Sequence, residues 1–212
     1  MIRAPYRQMT PNSPKGIMTA MKTKLFSAIA AAAVFATAAS PALAATKTAI
    51  FAGGCFWTME KAFEATPGVV EAVSSYGGGT MRSPTYENHE GYLESVKVTY
   101  DPAKISYAQL VDAFYHHIDP TDPSGQVCDK GPTYRTAVFV STPEERQVAE
   151  AEKARVQAFM HAPITVSTRP TTTFVPAENY HQDFAKKNPL AYERYRIGCG
   201  RDRVLAVVWA GH

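Results

Sequence analysis

The spacing of apolar positions changes several times along the chain, and each change marks an element. Residues 47–52 form a short apolar run ending in Gly53-Gly54, which reads as a strand. Phe56, Met59 and Phe63 then recur at helical spacing until Thr66-Pro67-Gly68 stops the helix. Residues 69–76 are rich in β-formers and end in Gly77-Gly78-Gly79, and a polar loop runs on to Gly91. Residues 93–100 alternate, with Val96, Val98 and Tyr100 on one face and Ser95, Lys97 and Thr99 on the other. Ser106 and Gln109 make a capping box for a helix through Leu110, Phe114 and His117. After a turn-rich loop over 119–132, residues 133–141 read as a strand. Thr142-Pro143-Glu144-Glu145 then opens a helix that runs to about His161.

The resulting order, β-α-β-β-α-β-α, begins with the six elements of a split βαβ, ferredoxin-like arrangement. It predicts an α+β fold: a two-layer α/β sandwich with a βαββαβ core, a mixed or antiparallel sheet and helices packed on it. The aromatic, polar tail from Glu178 is expected to wrap this body. No internal repeat or dividing linker interrupts residues 45–212, which predict a single catalytic domain.

Residues 1–44 do not fit that picture. Met21-Lys22-Thr23-Lys24 is basic, residues 25–39 are apolar and alanine-rich, and Pro41-Ala42-Leu43-Ala44 ends in small residues. This is the order of a secretory signal peptide, with cleavage expected near Ala44 and export to the periplasm. The apolar run is short for a membrane span, so no stable membrane anchor is expected. The leader also carries the charge. Five of the 22 basic residues lie within it with no acid, leaving 17 basic against 19 acidic residues and no case for nucleic-acid binding.

All three cysteines, Cys55, Cys128 and Cys199, follow the leader. In an exported chain disulfides persist, and an odd number leaves one thiol over in the monomer expected here. Their spacing matches neither a zinc site nor a Cys-x-x-Cys motif, so no metal is expected. Cys55 opens the first helix, where amides stabilise an anion, which suits a nucleophile; a buried structural thiol fits that position equally, and the preceding Gly53-Gly54, which admit a ligand, tilt the reading towards function. Glu94 shares by parity the apolar face of its strand. A carboxyl there is paired or held protonated, unless it lies in solvent at the strand's start. Tyr86, Asp129 and Tyr134 lie at loop ends or strand starts, positions that border clefts and also serve packing.

Gly54-Cys55-Phe56-Trp57 followed by Glu60 resembles the signature of the A-type peptide methionine sulfoxide reductases. The resemblance continues through Tyr76-Gly77-Gly78-Gly79, Pro84-Thr85-Tyr86-Glu87, Tyr100-Asp101-Pro102 with Ile105-Ser106-Tyr107, and Asp119-Pro120-Thr121. Asp129-Lys130-Gly131 with Tyr134-Arg135-Thr136 and Ala177-Glu178-Asn179-Tyr180-His181-Gln182 complete it, across nearly all of the chain after the leader. It implies a two-layer α/β fold and reduction of the S epimer of methionine sulfoxide, free or in proteins, as repair after oxidative damage. It further implies Cys55 as nucleophile, Glu94 as general acid, Tyr86 and Tyr134 as sulfoxide-binding hydroxyls, Asp129 as an active-site acid, and Phe56 and Trp57 as an apolar pocket for the substrate methyl. No cofactor is expected. Three places depart from the family pattern. Gly91-Tyr92-Leu93-Glu94 stands where many members carry Gly-His before the acid, in a shortened loop; Cys128 stands where many carry Asn; and the tail has the single Cys199 between Gly198 and Gly200.

On this reading Cys55 attacks the sulfoxide sulfur while Glu94 protonates the oxygen, and Cys55 becomes a sulfenic acid. Cys199 then condenses with it, and a thioredoxin-like partner reduces the bridge. Cys128 is the alternative resolving thiol, and a structural Cys128–Cys199 bridge is the other pairing. Two rival classes are a general thiol-disulfide or peroxide enzyme, and a non-enzymatic module held by a Cys55–Cys199 disulfide.

Overall fold

The computed structural model describes residues 45–211, so the leader and its cleavage site lie outside the described residues. Strand β1 (Lys47–Gly53) leads into helix α1 (Phe56–Glu64), followed by β2 (Val69–Gly77), β3 (Leu93–Tyr100) and α2 (Tyr107–His116). A small hairpin, β4 (Gly125–Gln126) and β5 (Asp129–Lys130), precedes a 3-10 turn at Pro132–Tyr134 and strand β6 (Thr136–Val140). Then come α3 (Pro143–Met160), β7 (Ser167–Pro170), β8 (Phe174–Pro176), α4 (Phe184–Lys187), α5 (Pro189–Cys199) and α6 (Arg201–Val208). The main sheet has six strands in the order β7-β6-β1-β3-β2-β8. Only β6 and β7 run parallel; the other pairs are antiparallel, so the sheet is mixed.

Alternation along the strands decides which residues face the helices. Ala49 and Phe51 of β1, Val96, Val98 and Tyr100 of β3, and Val138 and Val140 of β6 join one large core. Ile50, Ala52, Leu93, Ala137 and Phe139 pack on the opposite face. Phe51 sits at the centre of the larger core, its ring 4.9 Å from Phe63 of α1 and 5.2 Å from Phe114 of α2. Full burial of such a ring contributes roughly 1.5–3 kcal/mol. The Ser106 capping box forms as its sequence predicts, with each partner satisfying the other's backbone amide.

Three expectations shift in detail. Pro132 curls residues 132–134 into a 3-10 turn, so β6 starts at Thr136 and not at residue 133. The loop over 119–132 holds the β4–β5 hairpin, whose turn residues are Val127 and Cys128. The tail is three helices, with β7 and β8 extending the sheet at its two edges. No helix of the described residues is long and apolar enough to cross a membrane.

Candidate active site

Cys55 is the N-cap residue of α1, and its carbonyl accepts from the Thr58 amide at 3.1 Å and the Thr58 hydroxyl at 2.7 Å. The two preceding glycines serve packing and not ligand approach. A Cβ on Gly53 would lie 2.6 Å from the Met59 sulfur; Gly54 has φ +85, and a Cβ there would lie 2.6 Å from Cβ of Gln126. Any other residue at 54 would face both a strained backbone and a clash that lifts the thiol from its place.

Cys55 is 7 % exposed. Burial, chiefly, and then the charges of Glu94 and Asp129 push it above its ordinary range, while hydrogen bonds from the Tyr195 hydroxyl and the Trp57 backbone pull the other way. The expected lowering by the helix end is thus outweighed: a few aligned amides cannot offset the desolvation of a thiolate flanked by two carboxyls. Cys55 rests as a protonated thiol, next to an acid that is also protonated.

That acid is Glu94. It lies on the helix-facing side of β3, 1 % exposed, paired across β2 with Tyr76, and its Oε2 accepts from the Phe56 amide at 2.9 Å. Burial pushes its carboxyl up to about 8 against that hydrogen bond, with Asp129 adding to the rise. The parity argument therefore holds, and the strand-end carboxylate in solvent does not.

Tyr86 and Tyr134 come together although they sit 48 residues apart in sequence. Each hydroxyl feels the other, and both groups are raised, by burial first and then by the nearby charge of Glu94. Tyr86 keeps 37 % of its surface exposed, and its backbone amide is fixed by Glu178 at 2.8 Å. Asp129 is on β5 and accepts from the Tyr195 hydroxyl at 2.6 Å. Burial raises it, while Tyr195, Arg201 and Lys130 hold it down. The Tyr195 hydroxyl that donates to Asp129 also lies beside Cys55.

Phe56 is buried against Tyr76 and His181. Trp57 is half-buried, stacked on Phe184 at 3.7 Å, and its Nε1 donates to His181 Nδ1 at 3.1 Å. That bond makes Nδ1 the acceptor and leaves the proton on Nε2, which is buried and without a partner; burial, above all, keeps the ring neutral. A cavity of about 560 Å³, lined by Glu87, His89, Tyr92, Thr133 and Arg135, opens where the shortened 86–94 loop meets the Tyr134 turn.

Tyr195 and Arg201 are site residues that sequence reasoning did not single out, while Glu178 and His181 stood in a motif of the family resemblance without an assigned role. All belong to the tail, whose aromatic and polar character was the available signal. Arg201 is buried, and its Nη2 donates to the carbonyls of Gly53 at 2.9 Å and His117 at 2.8 Å, fixing α6 beneath the catalytic loop.

The sulfur pairing differs from the expected Cys55–Cys199 bridge. Cys128 and Cys199 form a disulfide with Cα atoms 5.2 Å apart, and Cys55 is the free thiol. The reason is the path of α5: Tyr195 bonds to Asp129, and one turn later Cys199 meets the residue next to Asp129. Among the described residues, Cys128, Asp129 and Cys199 are also the one group of three possible metal ligands within 4.8 Å of each other, and its sulfurs are bonded to one another.

Residues 47–212 match the family model described as peptide methionine sulfoxide reductase. A "Peptide methionine sulfoxide reductase MsrA 2" of Caulobacter vibrioides is 48 % identical over 197 residues, covering 89 % of this chain and 99 % of that one. A second MsrA 2, of Rhizobium meliloti, is 46 % identical over 163 residues, 76 % of this chain and 82 % of that one. Among solved structures, methionine sulfoxide reductase A of Corynebacterium diphtheriae superposes with a TM-score of 0.61 at 31 % identity, covering 68 % of this chain and 76 % of that one. Reduced Mxr1 of Saccharomyces cerevisiae does so with 0.65 at 28 % identity, covering 70 % of this chain and 89 % of that one. With a buried thiol, a neutral acid and a hydroxyl pair converging on one helix end, the chain belongs to the peptide methionine sulfoxide reductase family.

Proposed function

We propose that this protein is an oxidoreductase that reduces the S epimer of methionine sulfoxide, free or in proteins, to methionine through a Cys55 sulfenic acid, as repair of oxidative damage. The observation that carries the reading is Glu94: a buried carboxyl held near 8 and bonded to the amide next to Cys55 is a general acid charged with its proton at neutral pH. The sulfoxide oxygen sits between Glu94 and the hydroxyls of Tyr86 and Tyr134, which follow its charge as the S–O bond weakens. The Cys55 sulfur attacks the substrate sulfur and Glu94 protonates the oxygen. The oxygen ends on Cys55 as a sulfenic acid, the substrate leaves as the thioether, and the thiol proton returns to Glu94. Phe56 and Trp57 offer apolar surface for the methyl group. Cys199 then condenses with the sulfenic acid, releasing water and leaving a disulfide for a thioredoxin-like reductant.

The inner strand order β6-β1-β3-β2, with α1 and α2 as crossovers, supports a ferredoxin-like core extended at both edges. The leader pattern of residues 1–44 supports export to the periplasm. Single turnover of the reduced full chain with each epimer, without external reductant, tests the chemistry. Consumption of the S epimer with release of methionine is expected; no methionine from either epimer, from folded protein with a free Cys55 thiol, sinks the reading.

A further inference from the structure

The three sulfurs differ in access. Cys55 is buried, Cys199 is half-buried at the last residue of α5, and Cys128 is exposed. The exposed one sits at a hairpin tip. Register pairs Gly125 with Lys130 and Gln126 with Asp129, so Val127 and Cys128 are the two central residues of the turn. Val127 has φ 54, a left-handed conformation unusual for a β-branched residue, which a two-residue hairpin turn would normally give to glycine or asparagine. Strain of this kind is kept where the surrounding structure over-determines it. Here the turn is bound on both sides: Asp129 is hydrogen-bonded to Tyr195, and Cys128 is bonded to Cys199. The strained tip thus carries the exposed member of the bridge, Cys128, while its partner Cys199 is half-buried.

We propose that Cys128 is the terminal thiol of the relay and the sulfur that the protein reductant attacks, so that the Val127–Cys128 tip is the docking point for a dithiol partner. The proposal rests on the reading above for the origin of the oxidising equivalent. The Cys199 thiol condenses with the Cys55 sulfenic acid, forming S55–S199 and water. The Cys128 thiolate then attacks Cys199, forming S128–S199 and releasing Cys55 as a thiol ready for substrate. A dithiol reductant attacks Cys128 with one thiolate, forming a mixed disulfide and releasing Cys199. Its second thiol displaces Cys128, and the partner leaves as a disulfide with two electrons given and both protein thiols restored. Access decides which sulfur is attacked, and a partner's thiolate reaches Cys128 without entering the body. The middle thiol is suited to moving between the two ends. Cys199 ends a helix, Gly200 caps it at φ +69, and nothing lies within 4 Å of a Cβ placed on Gly198.

The test uses the wild-type full chain, its bridge formed with diamide so that the result does not depend on sulfoxide turnover. A thioredoxin whose second active-site cysteine is replaced by serine traps the mixed disulfide, and peptide mapping under non-reducing conditions finds the partner cysteine. Adducts on Cys128 in excess over Cys199 by roughly ten to one are the expected result. Adducts mainly on Cys199 or on Cys55 overturn the proposal. So does the absence of any adduct on a bridge that dithiothreitol reduces readily. Methionine release in dithiothreitol, assayed on the same preparation, reads the Cys55 chemistry separately: a chain that traps at Cys128 yet releases no methionine keeps the port and loses the proposed substrate.

Discussion

Cys55 and Cys128 set the same element in opposite surroundings. Cys55 caps a helix packed on the main sheet, and its neighbours are a neutral acid, a hydroxyl and an aromatic wall. Cys128 sits on a two-residue turn of a separate two-stranded ribbon, open to solvent. Burial makes the first a poor thiolate when the site is empty, which also protects it from chance oxidants, because a protonated thiol reacts slowly. It becomes useful only when a substrate brings an oxygen for Glu94 to protonate. The second is selective through position and not through acidity. Specific chemistry calls for a dry site, whereas exchange with another protein calls for a wet one, and one chain must join the two.

The contrast can be broken by substitution. Replacing Cys55 by serine should abolish methionine release while the Cys128–Cys199 bridge still closes with diamide; mass mapping checks both, and loss of the bridge would show that the two regions are not separable. Phe51→Ala removes the ring shared by α1 and α2 and should cost about 3–5 kcal/mol in a urea titration, far more than any change at the hairpin tip. Glu94→Gln keeps the shape and removes the proton donor, so single-turnover reduction should slow about a hundredfold. Wild-type turnover should also fall as pH rises through about 8. The folded carboxyl titrates above its ordinary value, and the neutral form needed for catalysis is lost there. The variant should lack that limb, and a limb that persists in it assigns the titration elsewhere. The smallest effect is expected from Val127→Gly: with the bridge reduced, release of the left-handed strain less the entropy of glycine should stabilise the chain by about 0.5–1 kcal/mol, read from the urea midpoint.

The same contrast governs what could be read from sequence. The main elements from β1 to α3 were legible from apolar runs, the alternation of β3, the apolar stripes of α1 and α2 and the cap that opens α3, whereas the short β4–β5 hairpin was not. Parity alone put Glu94 on the face where the structure finds it, beside the helix that carries Cys55. The tail gave no such signal. Helices α5 and α6 bury only Tyr192 and Arg201 fully, so their apolar positions show no period, and β7 and β8 are three- or four-residue edges. Tyr195 acts on Asp129 across 66 positions, and Cys199 meets Cys128 across 71. Those contacts depend on the route of the tail over the body, which no local pattern encodes. The glycines before Cys55 were correctly noticed and wrongly explained, because the side chains of Met59 and Gln126 that fill the space are set by the fold.

Arg201 gives the order of synthesis a chemical meaning. Its guanidinium is drawn under Gly53 and His117, and eight residues later the Trp209 indole donates to the Ile118 carbonyl. The loop bearing the nucleophile is made early in this domain, and Arg201, the clasp beneath it, follows 148 residues after Gly53. A ribosome that stalls before Arg201, or a protease that cuts ahead of it, leaves a chain with its sheet built and its reactive loop unsupported. Synthesis through Arg201 and Trp209 is therefore itself a condition for assembling the site, and a copy cut before them should remain a folded bystander rather than a stray nucleophile.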